Sequence, residues 1–183
     1  MGPANSIAVL RARRNIASGA LGTIEASARM TLAIEIPGGA DVRLDHLMLD
    51  VNGTLTNRGA PLGGVSARVE RLAPMLRVHL VSADTFGTLE STAEPLQASS
   101  VKAASGEDKL RKLDELGRDR CAVIGNGAND VLVLEAAVLG IAVIGPERAS
   151  STALRAADVV CVSIVDALDL LLEPRALSAT LRR

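Results

Sequence analysis

The sequence predicts an α/β fold, a Rossmann-like three-layer sandwich built around a mostly parallel sheet. From residue 42 onward, short runs rich in Val, Ile and Leu alternate with helix-like segments, which is the pattern of repeated β-α-β units. The run Leu47-Met48-Leu49 is apolar without alternation, as expected of a central strand covered on both faces. We therefore expect helices on both sides of the sheet.

The elements can be assigned in chain order. Residues 31–36 and 42–51 flank the turn Pro37-Gly38-Gly39 and predict a pair of strands. The other predicted strands are 78–81, 98–101, 121–124, 141–144 and 159–162. The predicted helices are 65–76, interrupted or bent near Pro74, then 85–93, 107–116 ended by Gly117, 130–139 ended by Gly140, 151–156, 165–172 and a last one that opens at Pro174.

The 183 residues suffice for one domain with a sizeable core. We expect this domain over residues 30–183, because the first clear strand pattern opens at Met30. Residues 1–29 carry four arginines against the single acid Glu25, a composition shared by transit segments and disordered tails. A disordered tail or an over-long start assignment is favoured over a transit segment.

Composition excludes several classes of function. A net charge of −1 and a single aromatic residue, Phe86, argue against nucleic acid and anionic membranes as partners. No apolar run reaches the ~18 residues of a membrane span. Cys121 and Cys161 lie in apolar runs and predict buried free thiols in a cytoplasmic protein, while His46 and His79 lie in apolar strands and predict structural roles.

Three polar loops follow predicted strands, at residues 50–56, 82–85 and 125–130. Because the carboxyl ends of parallel strands meet at one edge of a sheet, we expect these loops to converge. Asp50 ends a buried strand, where a carboxylate is costly unless it is paired or metal-bound. Nearby glycines let backbone amides approach an anion, and Lys109 adds a cation. This set predicts phosphoryl chemistry with Mg²⁺.

In chain order, DVNGTLT, VSADTFG, GEDK and GNGAND resemble the four motifs of the haloacid dehalogenase-like superfamily. The closest resemblance is to the phosphorylation domains of P-type ATPases and to a family of soluble P-type ATPase-like phosphatases, and it spans about residues 43–170. The resemblance implies a hydrolase, a Mg²⁺-dependent phosphatase or phosphotransferase of slow turnover that forms an aspartyl-phosphate.

The resemblance assigns the catalytic roles residue by residue. It implies that Asp50 is the nucleophile and that Thr54 positions the phosphate or its loop. Ser82 would hydrogen-bond the transferring phosphoryl group, and Lys109 would neutralise its charge and that of Asp50. Asn52 occupies the position of the usual acid/base Asp, where an amide cannot shuttle a proton at neutral pH.

The resemblance also implies a metal site. Asp50, the backbone carbonyl of Asn52, and the acidic end formed by Asn126, Asn129 and Asp130 would hold Mg²⁺ directly or through water. Asn126 stands where relatives usually carry a metal-binding Asp, which should weaken Mg²⁺ binding. The alternative function is therefore a catalytically impaired relative that binds a phosphorylated ligand or a protein partner.

Spacing bears on the substrate. About 32 residues separate Asp50 from Ser82, and about 27 separate Ser82 from Lys109, which one helix and one strand nearly fill. We expect no cap domain and no ATP-binding domain, which excludes ATP-driven transport. The expected substrate is a small phosphorylated compound or a phosphoprotein. The site would be open, or closed by a second copy in a homo-oligomer that forms through an exposed strand edge.

Overall fold

The computed structural model describes residues 31–182. Its strands are β1 Leu32–Ile34, β2 Val42–Leu44, β3 His46–Leu49, β4 Thr56–Asn57, β5 Ala60–Pro61, β6 Arg77–Ser82, β7 Ser99–Lys102, β8 Cys121–Gly125, β9 Leu139–Val143 and β10 Val159–Cys161. Its α-helices are α1 Val65–Leu72, α2 Leu89–Ala93, α3 Gly106–Leu116, α4 Val131–Ala136, α5 Ser151–Ala156, α6 Ile164–Leu172 and α7 Pro174–Leu181. The predictions for residues 1–29 lie outside the described residues.

The main sheet has the strand order β10-β9-β8-β3-β6-β7, and its neighbouring strands are parallel. Leu47 and Leu49 of β3 pack into the core that contains residues of α1, α6 and α7. Met48 packs into the opposite core, with residues of α3, α4 and α5. The sheet thus has helices on both faces, and the predicted three-layer architecture is confirmed.

The strand predicted over residues 42–51 is two strands. β2 pairs antiparallel with β1, as expected of the predicted strand pair, whereas β3 belongs to the main sheet. Asp45 separates them: its N–H donates to Arg120 O at 2.9 Å and its carbonyl accepts from Arg77 N at 2.8 Å. The chain changes sheets at Asp45 because its backbone is already paired with the main sheet.

Several helix boundaries also differ from prediction. The helix predicted over 65–76 ends at Leu72, before Pro74. The helix predicted over 85–93 begins only at Leu89, whose N–H donates to Asp84 Oδ1 at 3.0 Å. The helix predicted over 130–139 ends at Ala136, and Gly140 lies inside β9 rather than at a helix end. A Cβ at Gly140 would overlap the carbonyl oxygen of Leu134, so this glycine permits close packing of α4 on the sheet.

The connections between the strands are short. Between Asp50 and Ser82 lie the β4–β5 hairpin and α1, and between Ser82 and Lys109 lie α2, a 3-10 turn and β7. No cap domain is present in the described chain, as predicted. No helix within residues 31–182 is long and apolar enough to cross a membrane.

Candidate active site

Three buried charges meet at the carboxyl end of the central strands. Asp50 follows β3, Lys109 lies in the first turn of α3, and Asp130 ends the 3-10 turn after β8. Lys109 Nζ donates to Asp50 Oδ1 at 2.7 Å and to Asp130 Oδ1 at 2.6 Å. The side chains of Asp50, Lys109 and Asp130 are 8%, 1% and 2% exposed. One ammonium group therefore faces two carboxylates, and the cluster has a formal net charge of −1 when both carboxylates are ionised.

Burial changes the proton affinities of this cluster. Burial and the nearby Asp130 carboxylate raise the pKa of Asp50 to about 6, although the Lys109 ammonium opposes the rise. Burial alone would lower the pKa of Lys109, but the two carboxylates raise it above its ordinary value. Lys109 thus stays charged at neutral pH, and most of Asp50 is ionised there.

The start of α3 places Lys109. Ser105 Oγ accepts from Asp108 N at 3.1 Å, and Asp108 Oδ2 accepts from Ser105 N at 2.9 Å, a capping box that fixes the first turn. A Cβ at Gly106 would lie 3.1 Å from Asn129 O. The glycine therefore lets α3 approach the loop after β8 closely enough for Lys109 to reach Asp130.

A tight turn follows Asp50. The N–H groups of Leu55 and Thr56 donate to Val51 O at 2.8 and 3.0 Å, and Gly53 N donates to Thr56 O at 3.0 Å. Gly53 has a φ of 77°, which favours glycine, and any Cβ there would overlap the side chain of Asn126. The turn therefore requires glycine for both its conformation and its packing.

Asn52 and Ser82 lie beside each other. Asn52 Nδ2 donates to Ser82 Oγ at 3.4 Å, and Asp84 N donates to the same oxygen at 3.1 Å. The Ser82 hydroxyl accepts both bonds, so its own hydrogen can be donated to a phosphoryl oxygen. Asn52 Oδ1 is buried and has no hydrogen-bond partner among the described residues, so it can accept a bond from a ligand or water.

The loop after β8 is held by its own side chains. Asp130 Oδ2 accepts from the backbone N–H groups of Asn126 and Gly127, at 3.0 and 2.8 Å. Asn126 Oδ1 accepts from Thr54 Oγ1 at 3.3 Å, and Asn126 Nδ2 donates to Arg148 O at 2.8 Å. Both oxygens of Asp130 therefore have donors, and the Asn126 amide joins the loops after β3, β8 and β9.

Solved structures share this arrangement of elements. The cobalt-bound deoxy-D-mannose-octulosonate 8-phosphate phosphatase of Haemophilus influenzae has a TM-score of 0.59 at 17% identity and covers 74% of this chain and 91% of its own. The 3-deoxy-D-manno-octulosonate 8-phosphate phosphatase of Moraxella catarrhalis, solved with magnesium and phosphate, has a TM-score of 0.55 at 16% identity over 76% and 94%. The catalytic domain of the CPx-ATPase CopB-B reaches 0.50 at 21% identity over 65% and 46%.

One curated relative matches by sequence. An uncharacterized protein of Methanocaldococcus jannaschii is 47% identical over 78 residues, which is 40% of this chain and 84% of the archaeal protein. The chain belongs to the family of this archaeal protein and has the haloacid dehalogenase-like fold. No family model matches the chain.

Most predicted site residues of this haloacid dehalogenase-like domain lie together. Asp50, Lys109 and Asp130 are in direct contact, whereas Thr54 reaches the site through its bond to Asn126. Asn129 is exposed. Lys102, a second lysine near these loops, is 68% exposed and lies 3.8 Å from Asp84, so it takes no part in the buried cluster.

Sequence reasoning missed the loop after β9. Arg148 contributes its carbonyl to Asn126, and Gly145 lies so close to the Asp50 turn that a Cβ there would be 2.5 Å from Gly53 O. The Gly145-Pro146 pair after an apolar strand was a signal for another strand-end loop. Nothing in the residue types marked Arg148, because its contribution is a backbone oxygen.

The two histidines, for which structural roles were predicted, lie away from the loops that form the candidate site. His46 begins β3 and His79 lies near the start of β6, at the amino end of the sheet. His46 Nδ1 and His79 Nε2 are 2.9 Å apart, so one ring donates to the other. Cys121 is buried, and burial raises the pKa of its thiol to about 12. These side chains belong to the packing of the sheet.

The fit of a metal can be tested on the donor set. No cluster of three or more His, Cys, Asp or Glu residues within the described chain could hold a metal ion. Asp50 has a carboxylate oxygen that is not bonded to Lys109, and Asn126 Oδ1, in the loop after β8, faces Thr54 of the Asp50 turn. Mg²⁺ in phosphate-transfer sites is held by one or two carboxylates together with phosphate oxygens. The residues therefore fit Mg²⁺ that binds jointly with a phosphate group.

Proposed function

We propose that the chain is a Mg²⁺-dependent phosphatase or phosphotransferase that acts through an aspartyl-phosphate at Asp50. The observation that carries this proposal is the buried contact of Lys109 with Asp50 and Asp130. An ionised carboxylate beside a fixed cation is suited to attack phosphorus, because the lysine offsets the repulsion between two anions. Folding alone does not require this buried and partly unbalanced cluster.

The first step forms a bond between an Asp50 carboxylate oxygen and phosphorus, while the bond from phosphorus to the leaving oxygen breaks. Ser82 donates its hydroxyl hydrogen to a phosphoryl oxygen, and Lys109 neutralises charge on the attacking carboxylate. The leaving oxygen takes its proton from water, because the Asn52 amide supplies none at neutral pH. Substrates with good leaving groups should therefore react fastest.

The second step transfers the phosphoryl group from Asp50 to water or to an acceptor alcohol. The acceptor oxygen bonds to phosphorus, the bond to Asp50 breaks, and the acceptor proton goes to solvent. Asn52 cannot act as the base, so this step should limit turnover. Mg²⁺ would supply positive charge for the phosphate oxygens. It would be held by Asp50, the backbone carbonyl of Asn52 and Asn126 Oδ1, with Asp130 acting through water.

The substrate class is inferred from the lack of a cap domain in the described chain and from the similar structures. Two of the similar structures are phosphatases of a phosphorylated sugar acid. A small phosphorylated compound is therefore the substrate class we propose first. The alternative, a binding protein for a phosphorylated ligand, is favoured by the amides at Asn52 and Asn126, which replace two charges that phosphatases of this fold usually carry.

The test is hydrolysis of an aryl phosphate with and without Mg²⁺. We expect turnover that Asp50→Asn lowers by roughly 10³-fold or more, while the exposed Asp119→Asn leaves it unchanged. Asn52→Asp should raise turnover, because it restores a proton donor. Acid quenching with labelled substrate should trap phosphate on the wild-type protein and none on Asp50→Asn. If wild type and Asn52→Asp both fail to turn over while inorganic phosphate raises the melting temperature, the binding role is supported instead.

A further inference from the structure

The loop at residues 144–150 lies against the Asp50 turn. A Cβ at Gly145 would be 2.5 Å from Gly53 O, so the two backbones are in direct contact. Glu147 Oε1 accepts from Arg58 N at 2.6 Å, which ties the same loop to the tip of the β4–β5 hairpin. The position of this loop therefore affects both the turn and the hairpin that border the site.

Asn126 is the buried side chain that holds this loop. Its Nδ2 donates to Arg148 O at 2.8 Å, and its backbone carbonyl accepts from Ser150 N at 2.8 Å. Arg148 has a φ of 73°, an uncommon conformation for a residue other than glycine. On its other side, Asn126 Oδ1 accepts from Thr54 Oγ1. The Asn126 side chain must therefore be a donor on one side and an acceptor on the other.

We propose that Asn126 is a positioning residue whose amide ties the loop at 144–150 to the Asp50 turn, and that a carboxylate at this position breaks the tie. A carboxylate only accepts hydrogen bonds. Placed at position 126, it would set a negative oxygen against the Arg148 carbonyl. The other oxygen faces the Thr54 hydroxyl. Rotation of the carboxylate would therefore still leave one of its oxygens against the Arg148 carbonyl. The amide nitrogen of Asn126 thus has a structural role of its own, separate from the metal contact proposed for the Asn126 oxygen.

The two interpretations predict opposite effects. If Asn126 is a weakened metal ligand, Asn126→Asp restores a carboxylate and improves the site, whereas Asn126→Ala harms it. If the amide is a tie, both variants lose the bond to Arg148 and both harm the site. The tie itself does not depend on catalysis. Only its effect on turnover rests on the proposed function.

Hydrogen exchange of backbone amides tests the tie directly. In Asn126→Asp and Asn126→Ala, we expect the amides of residues 145 and 147–150 to exchange roughly tenfold to a hundredfold faster, since a partly buried hydrogen bond is lost. Asn57→Asp is the matched control, because Asn57 is an exposed asparagine of the β4–β5 hairpin, and it should leave exchange unchanged. Unchanged exchange in Asn126→Ala overturns the proposal.

Two further variants keep the test decisive if the Asn126 variants fail to fold. Arg148→Gly retains the carbonyl and suits the left-handed backbone, so the exchange of residues 149 and 150 should stay at the wild-type rate. Thr54→Val removes only the donor to Oδ1, and the same amides should exchange roughly threefold to tenfold faster, because the Asn126 amide loses one of its two anchors. Exchange faster than wild type in Arg148→Gly would contradict the tie. So would an unchanged rate of exchange in Thr54→Val.

Kinetics with an aryl phosphate separate positioning from metal binding. We expect kcat/KM to fall by roughly tenfold or more in both Asn126 variants, with KM rising because the Gly53 turn no longer holds the phosphate in place. Higher kcat in Asn126→Asp than in wild type would overturn the proposal. If wild type shows no turnover yet exchange responds as expected, the proposed function fails and the positioning role stands.

Discussion

Lys109 touches both Asp50 and Asp130, and the two carboxylates have no second cation within hydrogen-bond distance among residues 31–182. Lys109→Met removes the charge but keeps the length of the side chain, so two buried carboxylates are left facing each other. We expect the free energy of unfolding at pH 7 to fall by about 3–5 kcal/mol, as measured by urea denaturation. Lys112→Met on the same helix is the control, because Lys112 pairs only with the exposed Glu115, and a change below about 0.5 kcal/mol is expected. Equal losses in both variants would mean that the Lys109 charge has no special role.

The Asp50 carboxyl should set the pH dependence of the reaction. Its pKa is raised from 3.8 to about 6, chiefly by burial and by Asp130, and only the ionised form is a nucleophile. We therefore expect kcat/KM to rise as pH increases through about 6 and then to level off. An aryl phosphate whose own second ionisation lies below this range keeps the substrate constant. A flat profile between pH 5 and 8 would show that Asp50 does not titrate in the step measured.

The raised pKa of Asp50 also makes the free energy of unfolding depend on pH. Asp50 binds its proton more tightly in the folded than in the unfolded chain, so between pH 3.8 and about 6 folding takes up a proton and stability falls as pH rises. Above this window the full destabilisation by the ionised carboxylate is present. Asp50→Asn should therefore be more stable than wild type at pH 7 by roughly 1–3 kcal/mol, with the difference shrinking toward pH 4. Denaturation of both proteins at the two pH values measures it, and a difference that grows on acidification would refute this assignment.

At the scale of elements, the packing of α4 on β9 depends on Gly140. A Cβ at this position would overlap the Leu134 carbonyl oxygen, which belongs to a helix backbone and cannot rotate away. We expect Gly140→Ala to lower the free energy of unfolding by about 1–3 kcal/mol, as measured by urea denaturation. Gly63→Ala is the matched control, because nothing lies within 4 Å of its added Cβ. Similar stability of the two variants would show that α4 moves without penalty.

The same region shows why some boundaries could not be predicted. Gly140 was expected to end a helix, because glycine after an apolar helical pattern is a common stop signal. Its actual role depends on the distance between a helix and a strand, which no local pattern records. Asp45 is similar: an apolar run continues across it, yet its backbone bonds to Arg77 and Arg120 come from elements that are 32 and 75 residues away along the chain.

The site was predictable where residue types carry the chemistry. The sequence indicated a common site for two carboxylates that follow strands and for one lysine at the start of a helix. These residues, Asp50, Asp130 and Lys109, are indeed in contact. The loop at residues 144–150 was not predictable, since it contributes through the Arg148 carbonyl and through a close approach at Gly145. Backbone oxygens and left-handed conformations at arginine leave no trace in composition or spacing.

For the whole molecule, the strand order explains where the site lies. The chain runs from β3 outward through β6 to β7, then returns to the other side of β3 and runs outward through β8, β9 and β10. The order reverses between β3 and β8, and the loops that follow these two strands diverge there and leave a crevice. Asp50 follows β3 and Asn126 follows β8, so the site occupies the place where sheets of this kind bind ligands.

The absence of a cap in the described chain leads to a prediction about substrate size. The short hairpin at residues 56–61 and the loop at 144–150 border the site, and neither is long enough to enclose a ligand. We therefore expect kcat/KM for phenyl phosphate and for a phosphotyrosine peptide, whose phenol leaving groups are similar, to agree within about tenfold, which is 1.4 kcal/mol in the barrier. Parallel steady-state assays at two protein concentrations measure this ratio. A large preference for the small substrate that grows with protein concentration would contradict an open site and would show that a second copy of the chain covers the edge of the sheet.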